Sequence, residues 1–350
     1  MPRAKETTLH REILEQPEVL LRQLTEQRAT VEAVADAVRK RKPAYILIAA
    51  RGTSDNAARY GQYLFGAVNK LQVALATPSL FTRYELPPVI GNALVVGISQ
   101  SGESPDIMRV VQEARKQGAL TVGITNTLGS PLASTAEHVI PMDAGQEVSI
   151  AATKTYTASL MALAMFSAAL AEDEARFKEL AAVPGYVAHV TDAADSLVAA
   201  AQRYRTMQAC VVVSRGYNYA TAFEIALKLK ELTYVLAEPY SSADFQHGPV
   251  ALVERGFPVI AVVPDGAVTG EVLHLLHQLR EREAELVVFS AVDEALALGH
   301  TGFGLTKDMP EWVSPLSMVV PGQLMALGLA LAKGLDPDHP RELAKVTRTH

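Results

Sequence analysis

The sequence predicts an α/β protein built from two tandem doubly wound parallel-sheet domains. Three observations point there. Short apolar runs alternate with segments long enough to be helices, the pattern of parallel strands covered on both faces. The alternation then starts a second time, and stretches of the two halves can be laid over each other. Finally, 350 residues exceed one ordinary domain at about 150 residues each. Apolar residues make up 49% of the chain and charged residues 20%, enough to bury a sizeable core in each half.

The elements follow in order. From Thr8 to Lys42 the pattern is charged and helical, with a break at Pro17. Tyr45-Ile46-Leu47-Ile48-Ala49-Ala50 reads as a buried strand, and similar runs recur at Leu71 to Ala76, Ala93 to Ile98, Ala119 to Ile124 and His138 to Met142. Asp106 to Gln117 is one of the intervening helices. The second series has strands at Ala209 to Ser214, Phe257 to Val263 and Glu285 to Ser290, with helices at about Asn218 to Leu232 and Thr269 to Arg282. Ile46 to Gly52 superposes on Val211 to Gly216, and Leu94 to Ser99 on Val259 to Pro264. This is a duplicated unit, longer than a solenoid repeat. The expected layout is an N-terminal helical segment at 1–42, a first domain at 43–180, a second at 195–335 and a polar C-terminal tail at 336–350, with a linker near Asp173 to Asp195.

Composition excludes several functions. A net charge of −6 provides no field attractive to nucleic acid or to an anionic membrane, so an anionic ligand must be held by local groups. The single cysteine, Cys210, opens a strand and excludes a disulfide framework within the chain. Neither His-Glu-x-x-His nor a Gly-x-Gly-x-x-Gly after the first strand occurs, so no metal and no cofactor is expected. The start of the chain has no apolar run after its charges, and the uncharged stretch from Thr155 to Ala171 falls short of the ~20 residues that span a bilayer. A cytoplasmic location is expected.

Two loops carry the ligand chemistry. After the strand ending at Ile98 comes Ser99-Gln100-Ser101-Gly102-Glu103-Ser104, followed by Pro105-Asp106 at a helix start. Backbone N–H groups and the helix dipole point into such a turn, and the hydroxyls can complete a shell around phosphate without a lysine. Arg51-Gly52-Thr53-Ser54 repeats the arrangement after the first strand, so the two loops can converge where open α/β sheets bind ligands. In the second half Val263-Pro264-Asp265-Gly266 puts a carboxylate in the corresponding turn. One copy binds an anion and the other has diverged. On the helix after Gly216, Glu224, Lys228 and Glu231 fall at i, i+4 and i+7 along one face, in a segment too apolar to be a solvated stripe.

Taken together, Arg51-Gly52-Thr53-Ser54, Ile98 to Ser104, Glu147-Val148-Ser149-Ile150-Ala151-Ala152-Thr153-Lys154, Ala226 to Glu231, His247-Gly248-Pro249 and Leu343-Ala344-Lys345 resemble the isomerase half of glucosamine-6-phosphate synthase, a sugar isomerase (SIS) family. The match runs from about His10 to the C-terminus. The resemblance implies tandem flavodoxin-like SIS domains and a phosphorylated amino sugar as ligand. It places Thr53, Ser54, Ser99, Gln100, Ser101 and Ser104 around the substrate, together with Ile150, Ala151 and Ala344. It makes Glu231 the base that moves a proton between C1 and C2 and Lys228 its assisting cation. His247 becomes the ring-opening group, reaching the site of a neighbouring subunit and so implying at least a homodimer. Lys345 becomes the amine that forms a Schiff base with the ketose, which calls for a desolvated or cation-flanked setting.

Two departures bear on the reaction. Ala152 stands where the family has a serine, and nothing before His10 reads as a glutamine-hydrolysing domain with its cysteine nucleophile. The expected reaction is therefore deamination, glucosamine 6-phosphate to fructose 6-phosphate and ammonia. The alternatives are a synthase-like isomerase, a deglycase for another phosphorylated sugar amine, or a non-catalytic sugar-phosphate sensor. A sensor would leave Glu231, His247 and Lys345 idle.

Overall fold

The computed structural model describes residues 4–345. The chain divides into two compact units. The first comprises Glu18–Glu147, Lys154–Ala182 and the chain from Ala344; the second comprises the chain up to Pro17, Val148–Thr153 and Val183–Leu343.

In the first unit, β1 (Tyr45–Ala49), β2 (Val73–Leu75), β3 (Ala93–Ile98), β4 (Leu120–Thr125) and β5 (His138–Pro141) form a parallel sheet in the order β2-β1-β3-β4-β5. The second unit repeats that order with β6 (Ala209–Ser214), β7 (Leu236–Ser241), β8 (Pro258–Val263), β9 (Glu285–Ser290) and β10 (Thr301–Gly304), arranged β10-β9-β8-β6-β7. The doubly wound, duplicated architecture read from the sequence is the architecture observed. Every residue of β3 and β4 is buried, as the near-continuous Val and Ile runs require of strands with helices on both faces.

The two strands absent from the sequence reading are β7 and β10, and both lie at sheet edges. An edge strand faces a helix layer less completely and needs fewer apolar residues. Thus Leu-Ala-Glu-Pro-Tyr-Ser and Thr-Gly-Phe-Gly carry no strand signal. The expected linker is instead the helix Glu174–Asp192, with Pro184 inside it. Its core side, Phe177, Leu180, Val183, Val187 and Val190, is buried at helical spacing. The unit boundary falls within it, between Ala182 and Val183. The N-terminal helical segment is also divided, at Pro17, where the helix Thr8–Leu14 gives way to Gln16–Glu26.

Two further readings need correction. The segment Pro315–Ala332 is longer and more apolar than the stretch at Thr155, with a mean hydropathy of 1.6, and it is 89% buried, so it serves as a core element of the second unit. The tail is not merely polar. Pro337 and Pro340 are buried, and the Asp338 carboxylate accepts the Thr8 and Leu9 amides at 2.8 and 2.9 Å. It thereby closes the open end of the first helix.

That helix also buries His10, whose Nε2 has no hydrogen-bond partner among the described residues. Burial lowers its pKa from 6.5; Asp195 opposes the shift and Lys5 adds to it. The unfolded chain therefore takes up the proton first, so stability is fully present above about pH 6.5 and is lost as pH falls toward the folded value. Wild type should lose more melting temperature between pH 7.5 and 5.5 than His10→Leu, as measured by thermal denaturation at both pH values. Parallel losses in the two proteins would remove His10 as the cause.

Candidate active site

In a 2-1-3-4-5 sheet the winding reverses between the first and third strands, and the crevice opens at their carboxyl ends. In the first unit those ends are the turns after β1 and β3, which are the two hydroxyl loops. Arg51 closes β1 and ends in an ion pair of 2.6 Å with Asp106, in the first turn of the helix Pro105–Lys116. Asp106 is 2% exposed. A buried carboxylate must be compensated, so this pair fastens one loop to the other.

The loop after β3 is tightly specified. Gln100 O accepts the Asn126 amide and the Thr125 hydroxyl, and Gly102 O accepts the Leu132 amide. Gly102 has φ +68°, and a β-carbon there would fall 2.1 Å from Ser130 Oγ, so both backbone and space demand glycine. Ser99 Oγ accepts the Gly102 amide at 3.1 Å and lies 3.3 Å from Ser104 Oγ, while Ser101 Oγ accepts the Glu103 amide. Ser104 occupies the N-cap position, yet its side chain makes no cap hydrogen bond. A serine present only to cap would bond the amides one turn on; here the Ile107 amide is taken by Asp106 Oδ1 at 2.9 Å instead, and the Ser104 hydroxyl lies beside that of Ser99. Thr53 and Ser54 lie in the first turn of the helix Gly52–Asn69, half-buried. The geometry suits a dianionic phosphate held by hydroxyls and amides.

The duplicate has the same frame with different chemistry. Arg215, at the end of β6, pairs with Glu271 at 2.6 Å in the first turn of the helix Thr269–Glu281. In the turn after β8, however, the Ala267 amide is taken by Glu311 at 2.7 Å, and a β-carbon on Gly266 would meet the same carboxylate at 2.1 Å. The protein's own anion stands in the second cradle. Asp265 signalled the divergence in the sequence; Glu311, 46 positions on, carried no local sign of it.

The helix Tyr219–Thr233 of the second unit brings its three charged residues together. Lys228 Nζ lies 2.5 Å from Glu231 and 3.4 Å from Glu224. Glu224 and Lys228 are buried, whereas the Glu231 side chain is 25% exposed. A carboxylate fixed by a buried ammonium, with one edge open, is placed to take and return a proton. His247 follows the short helix Ser242–Gln246 and is exposed. It lines a cavity of about 450 Å³ with Arg215, Gln246, Glu271 and His274.

The motif opening at Glu147 supplies residues that the sequence reading did not single out. Within the first unit, Glu147 Oε1 accepts the Thr155 amide at 3.1 Å, and Oε2 accepts the Thr155 hydroxyl and Lys345 Nζ, both at 2.6 Å. The Glu147 side chain is 0% exposed. Lys345 thus sits beside a buried carboxylate; the acidic head of the motif was the available clue. Within the second unit, Glu12 accepts the Val148 and Ser149 amides at 2.5 and 3.1 Å. Gln16 and Gln323 pair at 2.8 Å, and Gln323 reaches Thr153 O. These bonds fix the backbone that carries Ile150 and Ala151, which are half-buried and buried. Ala152 is half-buried and Ala344 exposed.

A family model described as the SIS domain matches residues 40–169 and 208–333. A glutamine–fructose-6-phosphate aminotransferase (isomerizing) of Methanothermobacter thermautotrophicus is 34% identical over 340 residues, covering 96% of this chain and 56% of that protein. The chain spans about half the length of the curated relatives it matches. Among solved structures, a Silicibacter pomeroyi protein provisionally described as a phosphosugar isomerase aligns with a TM-score of 0.84 at 33% identity, covering 95% of this chain and all of that one. The C-terminal domain of glucosamine-fructose-6-phosphate aminotransferase from Francisella tularensis aligns with a TM-score of 0.88 at 28% identity, covering 96% and 98%.

Removing one hydroxyl from the first cradle tests its chemistry. A hydrogen bond to a charged group contributes roughly 1.5 to 3 kcal/mol, so Ser101→Ala should weaken glucose 6-phosphate binding about 10- to 100-fold in titration calorimetry. Equal affinity in wild type and variant would place the phosphate elsewhere.

Proposed function

The chain belongs to the SIS domain family, and from that premise we propose that it is a sugar isomerase that deaminates glucosamine 6-phosphate to fructose 6-phosphate and ammonia. The observation that carries the reading is the buried Lys228 held between Glu224 and Glu231, with only Glu231 opening to solvent. The curated relatives named for an isomerizing reaction on fructose 6-phosphate add to it, as does the hydroxyl cradle suited to a sugar phosphate.

The resemblance supplies the roles, and each suits the chemistry of its residue. Ser99, Gln100, Ser101, Ser104, Thr53 and Ser54 hold the phosphate, while Ile150, Ala151 and Ala344 complete the substrate site. His247 opens the ring, a proton transfer suited to an imidazole, and it acts across a homodimer. Glu231 takes the proton from C2 and returns it to C1 on the same face of an enediol-like intermediate, which leaves an imine at C2. Water adds to that imine, ammonia departs, and the ketose remains. Lys345 engages C2 as a Schiff base with the open-chain ketose.

Cys210 is the one cysteine in the sequence, and burial inside β6 pushes its thiol up to about 12, so it is no nucleophile for glutamine hydrolysis. Ammonia should be released when purified protein is mixed with glucosamine 6-phosphate. Glu231→Gln should lower solvent exchange at C1 and C2 by about 10² to 10⁴ fold and leave binding intact, as followed by NMR in deuterated water. No ammonia together with wild-type exchange in the variant would overturn the assignment. Formation of glucosamine 6-phosphate from fructose 6-phosphate and glutamine would favour the synthase direction instead.

A further inference from the structure

We propose that Glu147 is the proton partner of Lys345, taking a proton from the ammonium so that the amine can add to the ketose and returning it when water leaves. The proposal rests on the Schiff-base reading of Lys345 given above and extends it to a residue with no role so far. An ammonium cannot attack a carbonyl, because its lone pair is held by a proton. Lys345 Nζ lies 2.6 Å from Glu147 Oε2, so the group that must lose a proton and a group able to accept it already share a hydrogen bond.

The setting of the carboxylate points the same way. Glu147 is fully enclosed, whereas the Lys345 side chain is 24% exposed. An acid kept only to hold a tail in place is as effective at the surface, and there it avoids the cost of desolvation. Enclosure removes competing water and fixes the carboxylate through both oxygens, Oε1 by the Thr155 amide and Oε2 by the Thr155 hydroxyl. Thr155 lies in the first turn of the helix Lys154–Leu170, so the acceptor is held against the start of a regular element.

The step balances. The ammonium passes one proton to the Glu147 carboxylate, giving a neutral amine and a carboxylic acid. The amine nitrogen bonds to C2 of the open-chain ketose, and a proton shift from nitrogen to oxygen produces the neutral carbinolamine. The carboxylic acid then protonates the carbinolamine hydroxyl, the carbon–oxygen bond breaks, and water leaves. A protonated imine and the original carboxylate remain, with one positive charge on the lysine nitrogen before and after.

The test is the rate at which borohydride traps fructose 6-phosphate on the C-terminal peptide, read by mass spectrometry on the full chain. Wild type should form the adduct, and Lys345→Ala should not. Glu147→Gln keeps an acceptor for the Thr155 amide but cannot carry the proton, so trapping should slow by about 10² fold or more. Its affinity for glucose 6-phosphate and its melting temperature should stay near wild type. Glu147→Asp should recover part of the rate. Trapping by Glu147→Gln at the wild-type rate would overturn the proposal, and so would a loss of rate matched by equal losses of binding and stability. If that variant does not fold, Thr155→Val replaces it: several-fold slower trapping at unchanged affinity supports the assignment, and an unchanged rate refutes it. No adduct in wild type would strike the Schiff-base reading itself, a result distinguishable from a wild-type adduct indifferent to Glu147.

Discussion

A charge taken out of water has to be answered by another charge or by hydrogen-bond donors, and the chemistry of this protein is organised around that requirement. Asp106 is enclosed and is answered by Arg51, which ties the two hydroxyl loops together. Lys228 is enclosed and lies between two carboxylates spaced one helical turn to either side. Glu147 is enclosed and is answered by Thr155 and Lys345. In each case the partner is prescribed by the need for compensation, and the group left at the edge, whether Arg51, Glu231 or Lys345, is the one with solvent access. Burial of one member fixes the geometry; exposure of the other leaves something free to react or to bind.

Duplication explains why the anion cradle is built once when the fold is built twice. Both sheets reverse their winding at the same place, and both retain an arginine at the end of the first strand paired to an acid in the first turn of the third strand's helix. The frame alone therefore does not decide what binds. In the first unit the turn after β3 carries hydroxyls and an N-cap serine whose side chain makes no cap hydrogen bond. In the second the corresponding amide is already satisfied by Glu311. An internal carboxylate meets the electrostatic demand of a helix start without any ligand, and it frees the second unit to carry acid–base groups on the helix after β6.

How much of this could be read from the sequence depended on whether the cause was local. β3 and β4 were legible because strands buried on both faces must be apolar throughout, and the loop from Ser99 to Ser104 because hydroxyls, glycine and a helix start fall within six residues. Glu224, Lys228 and Glu231 were legible because helical spacing puts them on one face. β7 and β10 were not, since an edge strand tolerates Pro239 or Gly302. The helix Glu174–Asp192 was missed because Pro184-Gly185 interrupts it, though its buried residues keep a helical period. Glu12, Gln323 and Glu311 meet their partners across 136, 170 and 44 positions. Nothing in the residues around them announces the pairing, because the fold alone creates it.

The same contrast bears on how a proton-transfer site can be built without a metal-like charge. A carboxylate in water is a poor base for a carbon acid because solvent stabilises its charge, and a carboxylate buried alone takes up a proton and ceases to be a base. Glu231 is neither fully exposed nor buried alone. Its neighbour Lys228 is buried and so cannot be displaced by water or salt, and Glu224 on the far side compensates the ammonium in turn. With Lys228 satisfied from two directions, its charge holds Glu231 in position while only part of it is spent there. The i, i+4, i+7 spacing therefore does more than place three groups on one face: a cation between two acids stays buried and compensated, while the outer acid keeps an edge open to solvent.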